Sequence, residues 1–135
     1  MKDNYFNFPV NNIYTKPNIK SEVSTQILYG EKFQILNEKS GWIKIKTYFD
    51  NYIGYIKKRK FKKKFKPQLK IFKSKSKIFI RKQNKFVPSK NFLYFSSGIS
   101  ILNKNKDYIE FEHNKWIKKK DTKKIDHYEK NYLKI

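Results

Sequence analysis

Three aromatic residues and one carboxylate lie close together in the sequence and could bind a short zwitterionic peptide. Trp42 opens the stretch WIKIK, and Asp50, Tyr52 and Tyr55 follow within DNYIGYIK. Aromatic rings offer large rigid apolar surfaces with a polar tip, and the Asp50 carboxylate could receive the ammonium group of the peptide. Gly54 would let a ligand or another backbone come close, or permit a bulge. Packing against the core is the competing interpretation for Trp42 and Tyr55.

No residues with the types and spacing of a catalytic or metal site stand beside this group. Cysteine is absent, which excludes disulfides, thiolate metal sites and a cysteine nucleophile in this chain. His113 and His127 belong to no Ser/His/acid or metal-ligand pattern, and we expect both at the surface. Glu110 and Glu112 share one face of a predicted strand, where we expect them to be solvated. The sequence therefore predicts no catalytic residue, no metal and no cofactor.

Alternating apolar and polar residues indicate that the candidate site is built on β-strands. Ile43 and Ile45 point to one face of a strand, and Trp42 points to the other face together with two lysines. The same period of two occurs at residues 33–35 and 109–112. Helical periodicity is weak outside the C-terminal stretch HYEKNYLKI, so the sequence predicts an all-β protein.

The chain repeats itself, which predicts two tandem domains. Residues 35–46, ILNEKSGWIKIK, align without a gap with residues 101–112, ILNKNKDYIEFE, at an offset of 66. Residues 56–59 align with residues 117–120 at an offset of 61. The segments NEKSG and NKNKD are typical of turns that join two strands in each copy. A single pair of copies at this period indicates two small domains rather than a solenoid.

The predicted domains span residues 9–62 and 69–126, and residues 127–135 form a C-terminal tail. The charged segment at 62–68, which contains a proline, is interpreted as the linker. A domain of this size buries only about 60% of the surface of its unfolded chain, so it depends on a dense core or on a partner. The 12 Phe and 10 Tyr residues of the chain can supply the core.

The net charge of +22 has two interpretations. A strongly basic surface suits an anionic partner such as nucleic acid, a wall polymer or lipid headgroups. The alternative is an A/T-rich genome, because Lys, Ile, Asn, Phe and Tyr dominate the 135 residues and alanine is missing. We favour the second interpretation, since the lysines are spread along the chain and only 2 of the 33 basic residues are Arg, the better bidentate binder of phosphate.

The first copy contains four motifs: Tyr14 with Pro17, TQILYGE at 25–31, Gly41-Trp42 and YIGY at 52–55. These motifs, which cover about residues 13–62, resemble those of a bacterial SH3 domain. The best match is the pair of such domains that precedes the catalytic domain of NlpC-type cell-wall peptidases. The second copy is more degenerate. Its matching residues are Gly98, Tyr108 and Trp116-Ile117, and Lys115 stands where the family has a glycine before the tryptophan.

The resemblance implies two small SH3-like barrels that help to bind peptidoglycan-derived peptides, with the first barrel bordering a catalytic cleft. In such peptidases the bond cut joins γ-D-glutamate to a diamino acid, and the cleft residues of the first barrel correspond here to the segment 50–55. The candidate peptide-binding residues are Trp42, Asp50, Tyr52, Tyr55 and Glu31. The catalytic domain of the family carries a Cys and a His, and this chain has no Cys. We therefore expect no peptidase activity from these 135 residues alone.

Two functions from different classes remain. The leading hypothesis is a non-catalytic module that recognises cell-wall peptide or muropeptide and works with a separately encoded or split NlpC-type catalytic domain. The alternative is an unspecific nucleic-acid-binding β-barrel, in which exposed aromatics stack on bases and lysines follow phosphates. The start of the chain lacks a basic segment followed by an apolar run, which favours a cytoplasmic location. No apolar run reaches the length of a membrane span.

Overall fold

The computed structural model describes residues 3–125, which divide into two compact units at residues 65 and 66. Every regular element in this range is a β-strand, apart from one turn of 3₁₀-helix at Lys119–Asp121. The prediction of an all-β protein is confirmed. Residues 3–125 contain no helix that is long and apolar enough to cross a membrane. The predicted tail at 127–135 lies outside the described residues.

The first unit is built on one antiparallel sheet of six strands. The strands are β1 (Asp3–Tyr5), β2 (Val10–Tyr14), β3 (Val23–Leu28), β4 (Lys32–Lys39), β5 (Trp42–Thr47) and β6 (Ile53–Lys57). Their order in the sheet is β1-β4-β5-β6-β2-β3. Strand β6 therefore lies between β5 and β2, which brings the segment around Tyr14 beside the candidate site.

Alternation along β5 divides its side chains between a core face and an outer face, as the sequence predicts. Ile43 and Ile45 are 1% and 0% exposed, while Trp42 is half-buried. The core that they enter contains other large apolar side chains: Phe6, Ile13, Ile27, Phe33 and Ile56. Burial of such side chains is the main stabilising term of a unit this small.

The hairpin that presents Trp42 is closed by Ser40 and Gly41. Both residues have positive φ angles, of 53° and 80°. Two consecutive positive φ angles are the geometry of a type I′ turn, which matches the twist of the flanking strands. The predicted turn at 37–41 is thus narrowed to two residues, and Trp42 begins β5 directly after it.

The sheet of the first unit is not a closed barrel, because its edge strands β1 and β3 do not pair with each other. The loops that follow these strands bridge the gap instead. The Gly30 N–H donates to the Phe6 carbonyl oxygen at 2.7 Å, and the Phe6 N–H donates to the Glu31 carbonyl oxygen at 2.9 Å. The turn after β3 is therefore held to Phe6, which follows β1, by backbone hydrogen bonds outside the regular pairing of the strands.

The second unit contains two antiparallel sheets, of three and five strands. Its strands are β7 (Leu69–Ile71), β8 (Lys75–Lys82), β9 (Lys85–Tyr94), β10 (Gly98–Ile99), β11 (Asn103–Lys104), β12 (Tyr108–Glu112), β13 (Lys115–Lys118) and β14 (Thr122–Lys124). The sheet orders are β10-β7-β14 and β11-β12-β13-β8-β9. These sheets are also open rather than closed.

The sequence repeat is reproduced in the pairing of the strands. Ile43 faces Ile56 between β5 and β6, and the corresponding residues Ile109 and Ile117 face each other between β12 and β13. All four side chains are at most 1% exposed. The repeated sequence thus encodes the same buried hairpin in each unit.

The segment at 62–68, interpreted from the sequence as a linker, is bound to the two units. Lys62 forms a β-bridge with Tyr5, and the ring of Phe65 lies edge-on to that of Tyr5 at 5.4 Å. Further along, the Gln68 N–H donates to the Ile99 carbonyl oxygen at 2.8 Å. The composition of this segment resembles a flexible linker, but its aromatic residues and backbone groups find partners within the units.

The expectation that Glu110 is solvated is wrong. Its side chain is 9% exposed and accepts hydrogen bonds from the Asn103 side-chain amide at 2.6 Å and from the Asn114 N–H at 2.8 Å. A register shift between Glu110 and Glu112 disturbs the simple alternation of β12. Such irregularities are not visible in a two-residue period.

Candidate functional site

Trp42 lies on the outer face of the first unit, where it meets two tyrosines. Its ring contacts that of Tyr14 edge-to-face, with ring centroids 5.8 Å apart and an interplanar angle of 84°. Tyr14 pairs with Tyr55 in the register of β2 and β6, and Tyr55 pairs in turn with Lys44 of β5. These three aromatic residues are all half-buried. We call Trp42, Tyr14 and Tyr55 the aromatic row.

Gly54 allows the aromatic row to form, because it lets β2 approach β6 closely. A Cβ atom at position 54 would overlap Cγ2 of Ile13 and stand 2.9 Å from the Tyr14 carbonyl oxygen. The sequence left open whether a ligand, another backbone or a bulge requires this glycine. In the structure the backbone of β2 and the buried Ile13 side chain occupy the space.

Asp50 is held by a hydrogen-bonded turn at the end of β5. The Thr47 hydroxyl donates to Asp50 Oδ1 at 2.5 Å and accepts from the Tyr52 N–H at 2.9 Å. Thr47 is only 2% exposed, so it anchors the turn to the core. Asp50 is exposed, and Tyr52 beside it is 40% exposed. A carboxylate with a fixed position next to an exposed ring can bind a cationic group.

Glu31 closes the turn between β3 and β4, and its carboxylate accepts a hydrogen bond from the Leu28 N–H at 2.8 Å. Burial raises the pKa of this carboxyl group to about 7; the hydrogen bond from Leu28 opposes the shift, and the negative charge of Asp50 adds to it. Glu31 and Asp50 therefore belong to one electrostatic environment. We call Glu31, Thr47, Asp50 and Tyr52 the acidic corner.

The aromatic row and the acidic corner lie toward opposite ends of β5. Trp42 begins the strand and Thr47 ends it. At a rise of about 3.3 Å per residue the two positions are about 17 Å apart. The structure thus places Asp50, Tyr52 and Glu31 together in the acidic corner. Trp42 and Tyr55 lie in the aromatic row, so the five predicted residues do not form one cluster.

Two residues of this surface were missed in the sequence as candidates for the site. Tyr14 was noted only as part of a motif, because its contact with Trp42 depends on the non-local pairing of β2 with β6. Thr47 lies three residues before Asp50, a spacing typical of side-chain-capped turns that could have been recognised. Two exposed aromatic residues, Tyr48 and Phe49, complete the loop between Thr47 and Asp50 and are 50% and 48% exposed.

Among the described residues, the other histidine, carboxylate and tryptophan side chains form no second site of the kinds that the sequence suggested. Within residues 3–125 no group of His, Asp and Glu side chains is placed to hold a metal ion. His113 is exposed, and His127 lies outside the described residues. Trp116, the tryptophan of the second copy, is 5% exposed and donates its indole N–H to Asn114 Oδ1 at 3.2 Å. The Trp116 side chain therefore packs in the interior of the second unit.

Comparison with known proteins assigns a class to the first unit. Residues 13–61 match the family model described as the bacterial dipeptidyl-peptidase SH3 domain. Residues 13–61 are thus similar to the SH3 domain of a bacterial dipeptidyl-peptidase, and the resemblance of the first copy inferred from its motifs is confirmed.

A solved structure of an NlpC/P60 family protein from Bacillus cereus ATCC 10987 has a similar fold, with a TM-score of 0.70 and 11% sequence identity over 92% of this chain. The aligned region spans 56% of the length of that protein. At this identity the likeness concerns the fold alone. No curated protein shows significant similarity to the chain.

Proposed function

We propose that the first unit is a non-catalytic module that binds a peptidoglycan-derived peptide or muropeptide and acts together with an NlpC-type cysteine peptidase domain. The match of residues 13–61 to a dipeptidyl-peptidase SH3 domain supports this role. The 135 residues contain no cysteine, so the thiol of such a peptidase would come from elsewhere. A cytoplasmic location, where wall fragments would be recycled, is part of the proposal.

The acidic corner is the observation that carries the proposal. Asp50 offers an exposed carboxylate whose orientation is fixed by the buried Thr47 hydroxyl. An ammonium group bound there would gain a charge-assisted hydrogen bond, and the exposed Tyr52 ring would cover the adjacent apolar part of the ligand. The nearby Glu31 adds negative potential whenever it is ionised, which favours a cation over an anion.

The length of the ligand decides which of the predicted residues it reaches. A tripeptide spans about 10 Å when extended, whereas Trp42 and Thr47 are separated by about 17 Å along β5. A tripeptide anchored at Asp50 would therefore contact Tyr52 and approach Tyr55 without reaching Trp42. The Trp42–Tyr14 pair would contact a longer peptide or the catalytic domain.

The test compares a wall tripeptide that contains γ-D-glutamate and a diamino acid with the same peptide acetylated at its amino groups. Calorimetric titration should show binding of the free tripeptide and a loss of about tenfold or more in the Asp50→Asn variant, as for a charge-assisted hydrogen bond. Glu22→Gln removes an exposed carboxylate of the same unit and should leave the affinity unchanged. Equal affinities for the free and acetylated peptides would contradict an ammonium site at Asp50.

A further inference from the structure

A pocket lined mainly by lysines lies at one end of the β12–β13 hairpin in the second unit. Its walls are formed by Lys106, Asp107, Tyr108, Lys118, Lys119 and Lys120. Tyr108 pairs with Lys118 across the hairpin, and the Lys119 N–H donates to the Asp107 carbonyl oxygen at 2.9 Å. The backbone pairing therefore holds residues 106–108 opposite residues 118–120 and brings four lysines and one carboxylate to the same pocket.

The single carboxylate of this pocket, Asp107, leaves most of the positive charge of its four lysines without a counter-charge. Among the ion pairs formed within residues 3–125, none involves the four lysines that line it. The Lys118 ammonium group lies over the Phe79 ring, 5.7 Å from its centroid, and so makes a contact that leaves its charge in place. Like charges held close together repel each other, and a bound anion would remove that repulsion.

The first unit provides an internal comparison, because the sequence repeat aligns the two regions residue by residue. Lys58 corresponds to Lys119 at the offset of 61, and Glu38 corresponds to Lys104 at the offset of 66. Lys58 forms an ion pair with Glu38. The register is also the same: Glu38 faces Ile43, and Lys104 faces the corresponding Ile109. The second unit therefore has Lys119 in the place of Lys58, but a second lysine, Lys104, in the place of the carboxylate Glu38.

The aromatic residues around the pocket favour an anion without a base. Phe86 is stacked on the Tyr108 ring, with centroids 3.8 Å apart and an interplanar angle of 13°. Phe79 and Trp116, the other rings of this cluster, are 9% and 5% exposed. Single-stranded nucleic acids are bound by stacking their bases on accessible rings. Here the rings pack against one another, so the pocket provides positive charge but no ring surface on which a base could stack.

From this geometry we infer that the lysine pocket of the second unit binds the phosphate groups of a base-free polyanion. Lysine ammonium groups bind phosphate as point charges and tolerate varied geometry, which suits a ligand with several phosphates in a row. This site is distinct from the peptide site proposed for the first unit and does not depend on it.

The experiment titrates the full chain with tripolyphosphate in about 50 mM salt and follows binding by calorimetry and by backbone amide NMR shifts. Lys119→Glu reverses the charge of an exposed lysine that lines the pocket and should lower the affinity by about tenfold or more. Lys85→Glu is the matched control, with the same change in charge on an exposed side chain. The Arg81 N–H donates a hydrogen bond to Asn114, the residue before β13. Residues 82–85 therefore lie near the start of β13, whereas Lys118 is its last residue.

We expect Lys85→Glu to change the affinity by less than about threefold and the largest amide shifts to fall on residues 106–108 and 118–120. Equal losses in the two variants would show that tripolyphosphate senses only net charge, and the inferred pocket would be wrong. Undetectable binding by the parent chain would also overturn it. An oligothymidylate with the same number of phosphates should bind no more tightly than tripolyphosphate, and tighter binding would replace the inferred ligand by nucleic acid. Thermal melts confirm that the variants are folded.

Discussion

Trp42 on β5 contacts Tyr14 on β2 edge-to-face across the intervening strand β6, with ring centroids 5.8 Å apart. Both rings lie outside the core that Ile43 and Ile45 enter. Part of the Trp42 ring is therefore covered by Tyr14, which also lies on the outer face, and not by residues of the core. Such a pair stabilises the sheet modestly, by about 0.5–1.5 kcal/mol beyond its area burial, and still presents aromatic surface to a ligand.

Gly54→Ala should destabilise the first unit by about 1–3 kcal/mol, because the added methyl group would overlap Ile13 and approach the Tyr14 carbonyl oxygen. Denaturant unfolding of the variant measures the loss. Lys57→Ala, at the exposed end of the same strand, is the control and should change the free energy of unfolding by no more than about 0.5 kcal/mol. A stable Gly54→Ala variant that lost peptide binding would show instead that the glycine makes room for a ligand.

Glu31 should make the first unit less stable as the pH rises from about 4.5 to about 7. Its pKa in the folded state is raised from 4.5 to about 7, so in this window the folded state binds more protons than the unfolded state. The stabilisation is complete below the unfolded pKa and is lost as the pH rises through the folded pKa. Thermal melts across this range should show the decline.

Glu31→Gln should remove this decline, because glutamine does not ionise and its side-chain oxygen can still accept the Leu28 hydrogen bond. The difference in melting temperature between the two proteins, plotted against pH, isolates the contribution of Glu31. Glu22→Gln should retain the parental slope. A Glu31→Gln variant whose stability follows the pH in parallel with the parent chain would show that the folded pKa is not raised.

Ser76→Ala should destabilise the second unit by about 1–3 kcal/mol, since it leaves a buried carboxylate without its hydroxyl partner. The Ser76 hydroxyl donates to Asp121 Oδ2 at 2.7 Å, and the two residues are 1% and 6% exposed. Ser74→Ala changes an exposed serine two residues earlier and should be nearly neutral. Chemical denaturation of both variants gives the comparison, and equal stabilities would mean that the buried hydrogen bond contributes nothing.

The features predicted correctly from the sequence are those that local periodicity determines. Alternation placed Ile43 and Ile45 inside and Trp42 outside, and the stretch NEKSG was expected to join two strands, as it does between β4 and β5. These predictions need only the two-residue period of a strand and a short turn.

Features that depend on non-local contacts could not be predicted from the sequence. The space beside Gly54 is defined by Ile13, which is 41 positions away, and the partner of Trp42 is Tyr14 on another strand. The separation of Trp42 from Asp50 follows from their places at the two ends of β5, although closeness in sequence suggested one cluster. Glu110 is a different case, because its two hydrogen-bond partners, Asn103 and Asn114, are near it in the sequence and the irregularity of β12 is what the two-residue period does not describe.

The last prediction separates recognition from packing within β5 by comparing Trp42→Ala with Ile45→Ala. Ile45 is 0% exposed, so its truncation should leave a core cavity and cost about 2–5 kcal/mol. Trp42→Ala should cost less, because the half-buried ring lies on the outer face against Tyr14. Thermal melts of both variants measure this difference. Because a tripeptide bound at Asp50 as proposed would not reach Trp42, we expect Trp42→Ala to leave tripeptide affinity nearly unchanged.

Binding of the candidate NlpC-type catalytic domain should respond to Trp42→Ala in the opposite way, with a loss of more than about 1–2 kcal/mol, as for an aromatic anchor of an interface. Tyr14→Phe keeps the edge-to-face contact and removes only a hydroxyl group, so it controls for changes in the surface that leave the ring pair intact. If Trp42→Ala unfolds the unit as severely as Ile45→Ala, Trp42 belongs to the core in energetic terms. If the variant stays folded and partner binding is unaffected, the recognition surface lies at the acidic corner around Asp50 and Tyr52, and the aromatic row serves only to fasten β2 and β6 to β5.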